Sequence, residues 1–150
     1  MNKKYINTDK APTPGAYSQA VALIYLDRIE IKLAGQTGNI PPSEDSEEPV
    51  VEGGIGPQTT QALNNLLAIV SVLGGRADHF VKLEVLLKDP LAPELRKKQR
   101  EEFNTAYREF FQNHDVDRLP ARVMYWVPEV PLEHPAEDTL IEIHGEAMLF

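Results

Sequence analysis

The sequence contains no cysteine in its 150 residues. This absence excludes a disulfide framework, a thiolate metal site and a cysteine nucleophile. No apolar run approaches the roughly 20 residues that cross a bilayer, so no membrane partner is predicted. Two lysines stand near the start, but no apolar segment follows them. That pattern argues against a signal peptide and favours a cytoplasmic protein.

Positive charge is also scarce. The chain carries 15 Lys and Arg against 23 Asp and Glu, for a net charge of −8. Because affinity for phosphates depends on basic side chains, this balance argues against nucleic acid as a partner. The 4 histidines match no standard spacing of metal ligands, so no metal site is predicted. Length and composition are typical of one globular domain, expected over residues 1–150.

Hydrophobic periodicity predicts an α+β chain. Residues 17–26 and 29–33 are expected to form two strands joined at Asp27 and Arg28, and residues 37–48 an exposed acidic loop. A first helix should open at Gly56-Pro57 and close at Gly74-Gly75. Alternation between residues 81 and 88 predicts a strand, and a second helix should span residues 93–113, with Leu95 on its core side.

Two final strands, around Arg122 and Glu142, complete the order ββαβαββ. One sheet with two helices on a single face follows, because each element must bury its apolar side. The other face of the sheet would remain uncovered, which favours self-association into a closed oligomer. Alternation places Arg122, Met124 and Trp126 on one face of their strand.

Three side chains are candidates for chemistry. Arg122 can hold a small carboxylate in bidentate fashion, Glu142 can handle a proton or a water, and Tyr17 can contribute to the same pocket. Each also has a plainer interpretation. Arg122 would more often be a surface ion-pair partner, Tyr17 a packing residue and Glu142 part of a solvated strand face.

Seven segments stand out along the chain. They are Pro14-Gly15-Ala16-Tyr17-Ser18-Gln19-Ala20-Val21, Ala34-Gly35-Gln36, residues 53–66, residues 81–89, Asn104-Thr105-Ala106-Tyr107 with Phe110-Phe111, Pro120-Ala121-Arg122, and Ile141-Glu142-Ile143. Taken in this order they resemble the Rid family, also called YjgF/YER057c/UK114 or the endoribonuclease L-PSP group. The resemblance covers nearly the whole chain.

The resemblance implies a chorismate-mutase-like α+β fold, homotrimers with clefts between subunits, and hydrolysis of reactive enamines and imines such as 2-aminoacrylate to 2-oxo acids and ammonia without a cofactor. It implies that Arg122 clamps the substrate carboxylate, Tyr17 closes the cleft and Glu142 orients the attacking water. By the same resemblance, substrate-binding positions are Ser18, Gly35, Asn104 and Met124.

The chain departs from the family pattern after Arg122. Val123 and Met124 stand where many active members have serine and cysteine, and the loop over residues 128–139 is longer than usual. These departures leave a second function class open, a non-catalytic trimer that binds a small carboxylate. A ribonuclease, the third possibility, conflicts with the net charge of −8.

Overall fold

A computed structural model describes residues 1–13, 15–43, 49–130 and 139–150 of the protein. The described strands form one sheet in the order β1-β2-β3-β6-β4-β5. The elements along the chain are β1 (Asn2–Ile6), β2 (Ala20–Ile24), β3 (Ile29–Thr37), α1 (Ile55–Ser71), β4 (Phe80–Lys88), α2 (Pro93–Asn113), β5 (Ala121–Val127) and β6 (Ile141–Leu149). The predicted α+β class is confirmed, with one strand more than predicted.

The additional strand is β1. Four of its five residues are exposed, so its sequence lacks the alternation that identifies a half-buried strand. It is a strand because its backbone pairs antiparallel with β2, from Asn2 opposite Ile24 to Ile6 opposite Ala20. The local sequence pattern does not predict this strand, because β1 forms through hydrogen bonds to β2, which is distant in sequence.

The helices begin and end where local signals place them. Pro93 opens α2, as predicted, and its missing N–H costs nothing in the first turn. The chain leaves α1 at Gly74, whose φ of 79° is a left-handed conformation that glycine adopts without strain. The predicted polar turn between β2 and β3 is also present, closed by a 2.9 Å hydrogen bond from the Tyr25 amide to the Arg28 carbonyl.

The sheet is mixed. Among the described strands β4 and β5 are the one parallel pair, and α2 connects them as a crossover. The last strand, β6, lies between β3 and β4 and is antiparallel to both. Two strands that follow one another in sequence, β5 and β6, are therefore separated in space by β4. This insertion decides where the candidate site residues lie.

Both helices cover the same face of the sheet, as predicted. The core between the layers includes Leu63 and Leu66 of α1, Phe103 and Phe111 of α2, and the inward residues of the central strands. Those inward residues are Ile31, Leu33, Leu83, Val85, Leu87, Ile141 and Ile143. The prediction for Leu95 was wrong, because its side chain is 48% exposed on the first turn of α2.

The predicted exposed loop begins later than expected. Thr37 ends β3, and residues up to Asn39 are buried under α1. Asn65 of α1 fixes them by donating hydrogen bonds to the carbonyls of Thr37 at 3.1 Å and Asn39 at 2.9 Å. Buried backbone carbonyls need such partners. The acidic residues 44–48 of that loop, and residues 131–138 of the later one, lie outside the described part.

In the described part of the chain, no helix lies over the other face of the sheet. It carries an ion pair between neighbouring strands, Lys32 of β3 with Glu146 of β6 at 3.0 Å, and one within β4, Lys82 with Glu84 at 2.7 Å. Apolar groups lie beside them, including the half-exposed ring of Tyr125. In the described ranges, no helix is both long and apolar enough to cross a lipid bilayer.

Candidate active site

Arg122 lies on edge strand β5, on the face that the helices cover. It stands in register with Leu83 of β4, which is fully buried beneath the helix layer. Its guanidinium lies 5.0 Å from the ring centre of Phe103 and 4.8 Å from that of Tyr107, both on α2. The tryptophan was correctly predicted on the same side, because Trp126 donates a 2.8 Å hydrogen bond to Gln99 of α2.

The aromatic contacts leave Arg122 available for an anion. Cation–π attraction holds the guanidinium without using its N–H donors, unlike an ion pair. Within the part of the chain that the structure describes, no carboxylate pairs with Arg122. Partial burial lowers the pKa of Arg122, Tyr107 opposes that shift, and the nearby Arg108 charge adds to it. The group remains a cation at neutral pH, because an arginine pKa starts so high.

A cleft of about 300 Å³ opens beside the guanidinium. Its lining consists of Asn104, Tyr107, Arg108, Leu119, Pro120 and Arg122. Two predicted residues, Asn104 and Arg122, are thus brought together. The sequence predicted no site role for Tyr107 or Arg108. Tyr107 and Arg108 follow Asn104 by three and four residues, and residues at this spacing share one face of a helix. This spacing could have indicated that both residues line the same cleft as Asn104.

Tyr107 is nearly enclosed, with 2% of its surface exposed. Burial raises its pKa to about 12, so the hydroxyl is neutral. The described residues include no hydrogen-bond partner for that hydroxyl. The ring therefore helps to hold Arg122 in place. The hydroxyl loses its hydrogen bonds to water on folding, and no described hydrogen bond replaces them.

Glu142 belongs to a different surface. Its neighbours on β6, Ile141 and Ile143, are fully buried in the core, so alternation directs Glu142 to the uncovered face of the sheet. The side chain is half-buried, and this burial raises its pKa. A carboxyl group that is harder to ionise exchanges protons more readily near neutral pH.

Gly35 lies directly against Glu142. The register of β3 shifts between Leu33 and Gln36, so Gly35 sits in a β-bulge beside β6. A Cβ atom at position 35 would collide with the carboxyl group of Glu142. The missing side chain therefore makes room for the carboxylate, and two further predicted site residues are brought together.

The segment with Tyr17 and Ser18 leads toward this bulge. The Gln19 carbonyl accepts a 2.9 Å hydrogen bond from the Ala34 amide, next to Gly35. The Gln19 side chain is buried and anchors the preceding loop, donating to the Pro12 carbonyl at 2.7 Å. Tyr17 itself is 48% exposed, so its ring is not a packing residue of this subunit's core.

Arg122 and Glu142 do not share a pocket within one chain. Glu142 stands opposite Leu86 of β4, whereas Arg122 stands opposite Leu83. Two strand spacings and three residues along the strands separate their Cα atoms by roughly 14 Å. The two side chains also leave the sheet from opposite faces. One chain thus holds an arginine half-site, Arg122 with Asn104, and a glutamate half-site, Glu142 with Gly35.

Met124 belongs to neither group. It lies two residues beyond Arg122 on the same face, but its side chain packs partly buried against the core. It is not among the residues that line the cleft. His144 shares the face of Glu142, yet its Nε2 lies 3.6 Å from a Glu84 carboxylate oxygen, in the surface charge network.

The fold and the half-sites together define a class of α+β proteins. Its features here are one mixed sheet, two helices on one face of that sheet, and an arginine on the edge strand with no described ion-pair partner. The family model described as Endoribonuclease L-PSP matches residues 8–149. The chain belongs to this family, which is the Rid family.

Similarity to relatives extends over most of this chain and of theirs. The 2-iminobutanoate/2-iminopropanoate deaminase of Rattus norvegicus is 35% identical over 147 residues, which cover 95% of this chain and 91% of the rat protein. The Rid family protein YyfA of Yersinia pestis matches with a TM-score of 0.74 and 26% identity, over 99% of this chain and 100% of that one. Escherichia coli TdcF with bound serine has the same fold, with a TM-score of 0.73 at 24% identity over 98% and 99% of the two chains.

Proposed function

We propose that this protein hydrolyses small 2-imino acids and their enamine tautomers to 2-oxo acids and ammonia. The reaction would occur in a homotrimer, where the arginine half-site of one subunit faces the glutamate half-site of the next. The observation that carries the proposal is the division of the site between the two faces of the sheet. Neither half is sufficient alone, and the uncovered face needs a partner. The 35% identity to a named imine deaminase supports the same reaction.

The arginine half-site fixes the substrate. The planar fork of Arg122 binds a carboxylate through two parallel hydrogen bonds, and the Asn104 amide can donate a third. The rings of Phe103 and Tyr107 limit the motion of the guanidinium, which reduces the entropy lost on binding. Holding the carboxylate in this way sets the position of the adjacent imine carbon.

Glu142 supplies the proton transfers. A water adds to the imine carbon, and the ionised Glu142 takes the proton that the water loses. The same proton then passes to the nitrogen, which gives a carbinolamine. Glu142 next takes the proton of the new hydroxyl group and passes it to the amino nitrogen as the carbon–nitrogen bond breaks, and a 2-oxo acid and ammonia leave. An elevated pKa suits a group that accepts and returns a proton in one cycle. Tyr17, exposed at the end of the segment beside the bulge, would close over the substrate in this arrangement.

The test uses 2-imino acids generated in situ by an amino-acid oxidase, with side chains of increasing size. The wild type should accelerate hydrolysis above the spontaneous rate, and Arg122→Ala should lose that acceleration. Arg100→Ala is the matched control, because Arg100 is exposed on α2 and does not line the cleft. Unchanged hydrolysis in Arg122→Ala would refute carboxylate anchoring by this residue.

A non-catalytic carboxylate-binding trimer is the second candidate. Met124, which packs against the core beside Arg122, and the bulky Val123 favour it, since these two residues depart from the serine and cysteine that the family resemblance leads us to expect. This candidate requires saturable binding of a 2-oxo acid with no acceleration of imine hydrolysis. Ribonuclease activity remains disfavoured by the net charge of −8, and a salt-dependent RNA mobility shift would reveal it.

A further inference from the structure

The cleft at Arg122 contains a second guanidinium that the proposed reaction does not use. Arg108 lies one helical turn after Asn104 on α2, and its side chain lines the same cleft. It is close enough that its charge lowers the pKa of Arg122. Neither guanidinium has a carboxylate at ion-pair distance in residues 1–13, 15–43, 49–130 and 139–150. Two arginines without described ion-pair partners therefore line the same small cleft.

Three other arginines of this acidic chain are paired with nearby carboxylates. Arg28 pairs with Asp27 at 3.1 Å, and Arg76 pairs with Asp78 at 2.6 Å. Arg96 likewise pairs with Asp89 at 2.5 Å. Among the described residues Arg100 and Arg118 also have no such pair, but both are exposed and neither lines the cleft. Two cations facing one small cleft repel each other, and that cost is removed when an anion lies between them.

One carboxylate does not require both groups. The fork of Arg122 already matches both oxygens of the carboxylate that every 2-imino acid carries. A second guanidinium in the same cleft therefore has a use when the ligand brings a second negative group. A cleft of about 300 Å³ suits a compact ligand. A 2-imino acid with a carboxylate on a short side chain has the required size and charge.

We infer that Arg108 is a specificity-determining residue that selects 2-imino acids with a second carboxylate on the side chain. This inference rests on the proposed function, because Arg122 must hold the first carboxylate. It also goes beyond that function, since it assigns an imino dicarboxylate as the preferred substrate class. Arg108 contacts the distant carboxylate and takes no part in the proton transfers.

The experiment compares kcat/KM for 2-iminoglutarate and 2-iminobutanoate in three proteins: wild type, Arg108→Gln and Arg100→Gln. The wild type should prefer the dicarboxylate. Arg108→Gln should lose roughly tenfold to 100-fold on 2-iminoglutarate, the range for one hydrogen bond between charged groups, and little on 2-iminobutanoate. Arg100→Gln removes the same charge from the same helix and should leave both values unchanged. Equal effects on both substrates, or no effect on either, would overturn the inference.

A binding measurement separates this inference from the proposed reaction. Calorimetric titration with the products 2-oxoglutarate and 2-oxobutanoate needs no turnover. Selective binding of 2-oxoglutarate that disappears in Arg108→Gln supports the inference even if imine hydrolysis is absent. Equal binding of both oxo acids, or none, contradicts it even if hydrolysis occurs. Loss of the oligomer in Arg108→Gln, seen by size-exclusion chromatography, would assign Arg108 to subunit contact instead and also overturn it.

Discussion

Mixing two inactive variants should restore activity, because the half-sites of one chain lie roughly 14 Å apart on opposite faces of its sheet. Arg122→Ala removes the arginine half-site and keeps the glutamate half-site. Glu142→Gln does the reverse. If each cleft takes one half from each of two neighbours, a mixed oligomer contains clefts in which both halves are intact.

The expected recovery follows from the geometry. In a closed ring assembled at random from equal amounts of the two variants, each half of a cleft is intact with probability one half, so about a quarter of clefts are complete. Activity should therefore return to about a quarter of the wild-type rate per cleft. The number of subunits in the ring does not alter this fraction.

The assay is co-expression of the two variants at equal levels with different tags, purification of the whole oligomer population without selection of mixed species, and hydrolysis of 2-iminobutanoate; capture of a separate sample through both tags verifies that mixed oligomers form. Wild type mixed with the Arg122→Ala/Glu142→Gln double variant is the control. It should give about a quarter of full activity if clefts are shared, but about half if each chain carries its own site. Confirmed mixed oligomers with no recovered activity would refute the assignment of the two half-sites to neighbouring subunits.

Three further predictions test individual contacts. Tyr107→Phe should leave the melting temperature unchanged or slightly higher, because the lost hydroxyl is buried without a described hydrogen-bond partner. Tyr107→Leu should weaken 2-oxo acid binding by roughly two- to fivefold, because it removes the cation–π contact with Arg122. Equal affinities of wild type and Tyr107→Leu in calorimetry would contradict a role of the Tyr107 ring in holding Arg122. Glu142→Gln should raise the melting temperature near neutral pH, with the gain vanishing below the usual glutamate pKa of 4.5, because burial raises the pKa of Glu142 and makes its ionised form costly. A melting-temperature difference that is constant with pH would contradict this. Gly35→Ala should lower kcat by roughly tenfold to 100-fold with the fold retained, because the new methyl group displaces the Glu142 carboxyl; a normal kcat in steady-state kinetics would show that the carboxyl position is not critical.

Local patterns in the sequence determined the helices and most strands. Pro93 and the glycine pair after α1 set helix ends through backbone geometry, which depends on neighbouring residues only. Alternation likewise placed Arg122 and Trp126 on one face of β5. Such features are predictable because a periodicity of 2 or 3.6 residues is fixed by the backbone itself.

Only the tertiary structure decided where the candidate site residues lie. Insertion of β6 between β3 and β4 separates Glu142 from Arg122, and it follows from long-range strand pairing that no local pattern encodes. The same holds for β1, which exists through its pairing with β2. The sequence did not indicate a role for Arg108, because its position at the cleft with Arg122 depends on the packing of α2 over β5. The sequence identified the side chains that could carry chemistry. Which of them lie close together depends on the packed sheet and helices, because contacts between distant residues are set by the arrangement of the layers.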